Sequence, residues 1–271
     1  MKIEDAAGSD RERPLTGRTA IVTGASQGIG EAVAWLFAEA GARLVLSEMD
    51  DAAAPVAASI AATYPDSGAV AVVTDVTDPV SVDALMTMTL ERHGRLDVLA
   101  HATAIGQTRG SAIDLDPVEW DRVMAVNAKG PFLLCRAAVP AMGSSGGAIV
   151  FTGSFAGEQG QPGRAAYSAS KGALRLFTQS LALELAEQQV RVNGVAPAFV
   201  ESDLGRQGLA NSAVEGGMSI EQAQATRDSA IPMKRQAEAR EVAHAFLYLA
   251  SDASAYVTGT WLDINGGLLV R

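Results

Sequence analysis

Tyr167 and Lys171 stand four residues apart in a stretch, 164–187, whose apolar residues recur at helical spacing, so the two side chains share one face and reach the same space. A phenol near pKa 10 keeps its proton at neutral pH, and lowering that value by about three units takes roughly 4 kcal/mol of preferential stabilisation of the phenolate. An ammonium one turn away supplies part of this, which makes Tyr167 a candidate acid or base. Taken alone, a Tyr-x-x-x-Lys pair is also an ordinary surface pairing on a helix. Ser154 ends an apolar run at 148–154, ahead of Tyr167, and offers a hydroxyl suited to a substrate oxygen. Its plainer reading is a helix cap or turn residue.

A second cluster opens the chain. Thr23-Gly24-Ala25-Ser26-Gln27-Gly28-Ile29-Gly30 follows an apolar run at 19–22 and precedes a helix expected over 31–40, where Val33, Leu36 and Phe37 keep helical spacing and Gly41 stops it. Glycines there permit a tight turn and close backbone approach to a pyrophosphate, whose charge is favoured by the free N–H groups of the helix N-terminus. An ordinary strand-to-helix connection would use glycine too. Glu48 closes the next apolar run, 43–48, near the spacing at which a carboxylate takes the ribose hydroxyls of a dinucleotide. It would repel a 2′-phosphate, and neither Gln27 nor Met49-Asp50-Asp51 offers the cation that NADP needs. NAD is therefore the expected cofactor, and its cationic oxidised nicotinamide would add to the field favouring the phenolate. A solvated acidic strand end is the alternative for Glu48. Asp75, at the end of the run 69–75, is placed to accept from an adenine amino group.

Further apolar runs at 96–102, 190–196 and 260–264 bring the count of expected strands to about seven, separated by helix-like segments. Parallel neighbours need crossover helices that cover both faces, so the fold expected is α/β: a single-domain, Rossmann-type, doubly wound parallel sheet. Ligands of such sheets bind beyond the carboxyl ends of the strands, where Gly24, Glu48, Asp75 and Ser154 fall. Residues 1–14 read as a polar tail and 15–271 as the catalytic domain. The stretch 199–234, with Gly205, Gly208, Gly216, Gly217 and Pro232 among polar residues, reads as an irregular, mobile flap.

These residues together resemble the short-chain dehydrogenase/reductase family over nearly the whole chain beyond the tail. Thr23 to Gly30 is similar to the family's TGxxxGxG turn and Asp75-Val76 to its adenine-binding pair. Asn127, in Val126-Asn127-Ala128, is similar to the asparagine of its proton relay, and Ser154, Tyr167 and Lys171 complete its catalytic tetrad. Ala196-Pro197-Ala198-Phe199-Val200-Glu201-Ser202 resembles its PGxxxT segment. The resemblance implies that Ser154 binds the carbonyl or hydroxyl oxygen and that Tyr167 exchanges its proton. Lys171 would position the nicotinamide ribose and lower the tyrosine pKa, and Asn127 would link Lys171 to solvent through water. It implies cofactor contacts from Gly24, Ser26, Gln27, Gly28, Ile29, Gly30, Glu48, Asp75, Val76 and Ala102. Pro197, Val200 and Ser202 would hold the carboxamide, and the assembly would be a homotetramer. Small residues on the Tyr167 helix (Ala165, Ala166, Ala169, Ala173) suit such packing, or packing against the sheet.

The chain departs from the family in three places. His101-Ala102-Thr103-Ala104 stands where the family has Asn-Asn-Ala-Gly, losing amides that tie the sheet together; Ala198 replaces glycine and Asn265 replaces aspartate. His101, among small apolar neighbours, reads as a satisfied core residue, and Cys135, beside Phe132, Leu133 and Leu134, as a small buried side chain. The net charge of -10 disfavours nucleic acid and anionic membrane surfaces. No run of signal-peptide or membrane-spanning length occurs, so a cytoplasmic location is expected, and no metal is called for. The partner expected is a small alcohol or ketone, in a pocket lined by 103–110, 155–161 and the flap, including Phe155, Phe199, Gln107, Arg109, Glu158, Gln159 and Gln161. That lining points to a polyol or hydroxy acid. Arg109 would pair with a substrate carboxylate or be an exposed loop arginine. Two other readings use the same residues: a cofactor-binding regulatory protein without turnover, and a lyase or isomerase on the same fold.

Overall fold

The computed structural model describes residues 13–270. Most of the expected tail, 1–14, lies outside the described residues; the chain enters a turn at Pro14 and Leu15 is already fully buried.

Seven strands form one parallel sheet: β1 (Thr19–Thr23), β2 (Arg43–Glu48), β3 (Val70–Val73), β4 (Val98–His101), β5 (Gly147–Thr152), β6 (Val190–Pro197) and β7 (Trp261–Ile264), in the order β3-β2-β1-β4-β5-β6-β7. The crossover helices are α1 (Gly28–Glu39), α2 (Ala54–Thr63), α3 (Pro79–His93), α4 (Pro117–Met124), α5 (Gly130–Met142) and α6 (Ala165–Leu185). After β6 come α7 (Asp203–Gly216), α8 (Ile220–Ala230) and α9 (Ala239–Ala250).

The strands read as continuous apolar runs because both faces are covered, and alternate residues feed two separate cores. Ala20 and Val22 of β1, Leu44 and Leu46 of β2 and Val98 and Ala100 of β4 pack with α1, α2 and α9. Ile21, Val45, Leu99, Ile149 and Phe151 face the other way and pack with α3, α5 and α6. A shift of one residue in any central strand would exchange its two faces. The chain order reverses between β1 and β4, and the crevice above that switch point is where a sheet of this type receives a ligand.

The flap is not irregular. Residues 203–216 and 220–230 are the helices α7 and α8, joined face to face through a small cluster of Leu209, Ala213 and Ala223. Ser202 caps α7 by accepting from Gly205 N, and Ser219 with Gln222 forms a capping box on α8. No helix among the described residues is long and apolar enough to cross a membrane.

Candidate active site

The glycine loop between β1 and α1 is shaped by contacts that side chains would destroy. Gly24 holds φ +66°, and a Cβ there would meet Thr103 N at 2.8 Å; at Gly30 it would fall 2.0 Å from the Gly24 carbonyl oxygen. Gln27 precedes α1 in extended conformation and contributes no side-chain cap, so the leading N–H groups of the helix stay open to an anion. Gly24, Gln27, Gly28, Ile29 and Gly30 all border one cavity of about 390 Å³.

The same cavity is bordered by Glu48, Asp75, Val76, Ala102, Ser154, Tyr167, Lys171, Pro197, Val200 and Ser202. Two expected site residues sit behind it. The Ser26 hydroxyl donates to Glu48 Oε2 at 2.7 Å, so Ser26 orients the carboxylate rather than lining the cavity. Asn127 is fully buried in a π-helical turn, 125–129, between α4 and α5. Its Oδ1 accepts from Ile105 N at 2.9 Å, while Nδ2 donates to Ile105 O at 2.9 Å and to Ser170 Oγ at 3.2 Å. Both amide hydrogens are thus committed to fixing the strand-end loop and α6. Asp75 Oδ1 accepts from the main chain and hydroxyl of Thr77 at 2.8 and 2.7 Å.

Tyr167 and Lys171 lie one turn apart on α6, as their spacing requires, and both are buried; the Lys171 ammonium is 5.8 Å from the centre of the phenol ring. Lys171 Nζ donates to the Thr152 carbonyl at the end of β5, at 2.8 Å. An ammonium has three donors, and this is its one hydrogen bond to the protein among the described residues. Burial lowers its pKa to about 7. Gly157 makes room for it: a Cβ there would press on the Lys171 main chain at 2.8 Å.

Ser154 is the turn residue of its plainer reading, and its hydroxyl is also beside the phenol. Its hydroxyl caps a short 3₁₀ turn by accepting from Ala156 N at 3.1 Å, and it also lies against the Tyr167 phenol, where it favours the anion. Burial nevertheless dominates and raises the Tyr167 pKa; against it act Ser154 and the positive field of Arg164, one turn before Tyr167. Two cations stand at similar range of the ring, Arg164 at 5.9 Å and the Lys171 ammonium at 5.8 Å from its centre, so Arg164 is a second positive neighbour that the Tyr-x-x-x-Lys pattern does not reveal. An i−3 arginine is a signal present in the sequence, but guanidinium charge is common at helix starts and nothing local marks this one.

The loop after β4 repairs the loss of the family's amides. His101 is 1% exposed, and its Nδ1 shares a hydrogen bond of 2.8 Å with the Thr23 hydroxyl, tying β4 to β1. Its ring meets Phe151 edge-on at 6.2 Å. Asn265 accepts from Gly267 N at 2.9 Å and donates to Leu269 O at 2.8 Å, closing the last turn. Cys135 is buried and its thiol pKa is pushed up by that burial, the opposite of an activated nucleophile.

A second cavity, about 960 Å³, adjoins the first at Tyr167 and Arg164 and is lined also by Gln107, Arg109, Leu204 and Gly208. Phe155 and Phe199 meet at a tilted 5.6 Å contact on the wall of the first cavity. Three expected lining residues are elsewhere. Glu158 is taken by Arg175 on α6, and Gln159 and Gln161 border neither cavity, Gln161 Nε2 donating to Gln159 O at 3.1 Å. Arg109 is neither free nor a plain surface residue: it pairs with Glu215 of α7 at 2.7 Å. The residues that sequence reasoning missed are Arg164 and Arg227, both lining the first cavity. No group of three or more metal-ligating side chains occurs among the described residues.

Comparison with known proteins agrees with this geometry. Residues 24–269 match the family model described as enoyl-(acyl carrier protein) reductase. The chain is 37% identical over 253 residues to cis-4-hydroxycyclohexanecarboxylate dehydrogenase of Sinomonas cyclohexanicum, covering 92% of this chain and 96% of that one. Among solved structures it resembles levodione reductase (TM-score 0.89, 29% identity, 93% of this chain and 98% of that one). It also resembles the 3-ketoacyl-(acyl-carrier-protein) reductase of Brucella melitensis complexed with NADH (TM-score 0.81, 29% identity, 94% and 100%). With the glycine loop, the Ser154–Tyr167–Lys171 grouping and the parallel sheet in place, these matches make the chain a member of the short-chain dehydrogenase/reductase family.

Proposed function

We propose that this oxidoreductase transfers a hydride between NAD(H) and a secondary alcohol or its ketone, with Tyr167 as the acid and base. The observation that carries the reading is the convergence of Ser154, Tyr167 and Lys171 on the cavity that the glycine loop also borders. The residues fit a nicotinamide dinucleotide: the loop keeps its tight turn beside the cavity because Gly24 and Gly30 have no Cβ to strike the backbone of Thr103 and Gly24, the α1 N-terminus is uncapped, and Lys171 keeps two donors for ribose hydroxyls. When bound, the nicotinamide supplies or accepts the hydride.

The protein's own part is proton handling and orientation. In reduction, Tyr167 Oη gives its proton to the ketone oxygen while the Ser154 hydroxyl donates to that oxygen and holds it in place; in oxidation the same phenol, as its anion, receives the proton. Lys171, with a pKa brought to about 7 by burial, holds a proton beside Tyr167 and can release it at neutral pH. Because the Asn127 amide is fully engaged with Ile105 and Ser170, a relay to solvent past this residue runs through its main chain or water, and the side chain's work is positioning. Pro197, Val200 and Ser202 also border the cavity, Ser202 beside Gly28 of the glycine loop, and a carboxamide would be held there.

Glu48 supports NAD over NADP. It reaches the cavity as a carboxylate braced by Ser26, a like charge against a 2′-phosphate. In Glu48→Gln, NADH binding should weaken and the preference for NADH over NADPH should shrink by about tenfold or more, read by titration of nicotinamide fluorescence. An unchanged preference would remove Glu48 from the account. The function itself is tested by screening polyols, hydroxy acids and cyclic alcohols with NAD at alkaline pH, following absorbance of the reduced cofactor. Turnover in at least one class is expected. NADH binding with no turnover across the panel would favour a regulatory protein, and product formed without net change in NADH would favour a lyase or isomerase. We also propose a homotetramer, supported by Phe132, Leu176 and Leu183, which stand exposed on the outer faces of α5 and α6; light scattering tests it.

A further inference from the structure

A chain with a net charge of -10 concentrates positive charge at one internal place. Arg164, just before α6, and Arg227, on α8, come from distant parts of the sequence to the wall of the cavity that holds Tyr167. Their ends both reach Gly208 in α7, where a Cβ would sit 3.0 Å from Arg164 Nη2 and 4.0 Å from Arg227 Nη2.

Among the described residues neither guanidinium forms an ion pair, although the field of Glu215 reaches Arg164 and that of Asp228 reaches Arg227. Arg164 donates no side-chain hydrogen bond to the protein among the described residues, and its guanidinium lies 5.9 Å from the centre of the Tyr167 ring. Arg227 is 9% exposed, lies over the Phe199 ring at 4.5 Å and donates only to the Gly205 carbonyl, at 3.2 Å. The neighbouring carboxylates are already engaged: Glu215 with Arg109 at 2.7 Å, Asp228 with Gln224 Nε2 at 2.9 and 3.0 Å, and Asp203 with Arg206. Burial and mutual repulsion among Arg109, Arg164 and Arg227 lower the pKa of Arg164 and Arg227. A guanidinium cannot escape by losing its proton, so the cluster bears a cost in the folded protein that Glu215 and Asp228 offset only in part.

Building on the proposed dehydrogenase reading, we infer that the substrate carries an anionic group, a carboxylate, held by Arg164 and Arg227 beyond the reacting carbon. A planar fork of donors suits a carboxylate better than a neutral polyol. The position fits as well, because Arg164 borders both cavities at Tyr167, so an oxygen on the phenol and a carboxylate on the arginines lie at two ends of one short molecule. The substrate is thus a hydroxy acid or oxo acid rather than an uncharged sugar or simple ketone.

The test pairs each acid with its neutral ester. Reduction of 3-oxobutanoate and of 4-oxocyclohexanecarboxylate by NADH is compared with reduction of their methyl esters, in wild type, Arg164→Gln, Arg164→Lys and Arg227→Gln. Wild type should prefer at least one acid, and Arg164→Gln and Arg227→Gln should each cut the acid-over-ester ratio by about 10- to 100-fold, chiefly through KM, with Arg164→Lys intermediate. NADH binding certifies that each variant folds. Equal use of acid and ester by wild type overturns the inference, as does a loss in Arg164→Gln that falls equally on both, which would assign Arg164 to the phenol alone. Calorimetric titration of the NADH complex with cyclohexanecarboxylate and 3-hydroxybutanoate, against cyclohexanecarboxamide, separates the two readings. Arginine-dependent binding of a carboxylate with no turnover upholds the anion site while the dehydrogenase reading fails. Binding of neither anion to wild type, or binding indifferent to charge, overturns the anion site.

Discussion

Tyr167→Phe should lower turnover on the order of 10³-fold, within the range expected for removing a general acid or base, while NADH binds and the protein melts nearly as before. The substitution deletes one oxygen and leaves the ring, so the packing of this buried side chain and its contact with the Lys171 ammonium at 5.8 Å persist. What disappears is the proton donor beside Ser154. The direction of the reaction should show in the pH profile. Burial raises the phenol's pKa, so ketone reduction, which needs the protonated form, should persist across neutral pH. Alcohol oxidation, which needs the anion, should climb as pH rises toward the alkaline range. Arg164 lowers the same pKa, hence Arg164→Gln should also push the oxidation limb to higher pH. Stopped-flow measurement of NADH formation in both variants separates these effects. A Tyr167→Phe enzyme within tenfold of wild type would falsify the proton-transfer role.

That grouping was legible in the sequence because its geometry is local. Tyr167 and Lys171 share a face for the reason any i, i+4 pair does, and the glycine loop stands out by its glycine spacing between an apolar run and a helix. The central strands β1, β4 and β5 are equally plain: buried on both faces, they are written as largely apolar runs, TAIVT, VLAH and GAIVFT. The flap reads as irregular because α7 carries Gly205, Gly208 and Gly216, which lower helix propensity, and because neither α7 nor α8 buries a wide apolar stripe; among the described residues the core they share is Leu209, Ala213 and Ala223. The capping box of Ser219 and Gln222 was present as a start signal and outweighed by the polar composition around it. Arg164 and Arg227 are a different case. Their meaning lies in being brought to one glycine from separate elements, and no spacing rule along the chain encodes that.

His101 gives the second large effect, on stability. It replaces an asparagine of the family pattern with a titratable group, and burial lowers its pKa from 6.5 to about 3, with the nearby Lys171 charge acting in the same direction. Above pH 6.5 the ring is neutral in both folded and unfolded chains, and it contributes no pH dependence. Between pH 6.5 and about 3 the unfolded chain binds a proton that the folded chain refuses, so stability falls as pH falls, by about 1.4 kcal/mol per unit. At pH 5 the loss attributable to His101 is about 2 kcal/mol, a substantial part of a typical folding free energy. The residue that bears this load joins β1 to β4 through Thr23, directly beneath the divergence where the glycine loop and Ala102 border the cofactor cavity. Acid should therefore loosen the site and the sheet together. In urea titrations at pH 7.5 and 5, wild type should lose about 2 kcal/mol more than His101→Asn, which keeps a polar partner for Thr23 without a titrating ring. Contributions from His93 and Lys171 are common to both proteins and cancel in the comparison. Parallel losses in the two would mean that the His101 ring is protonated in the folded protein after all, with its charge accommodated beside Thr23.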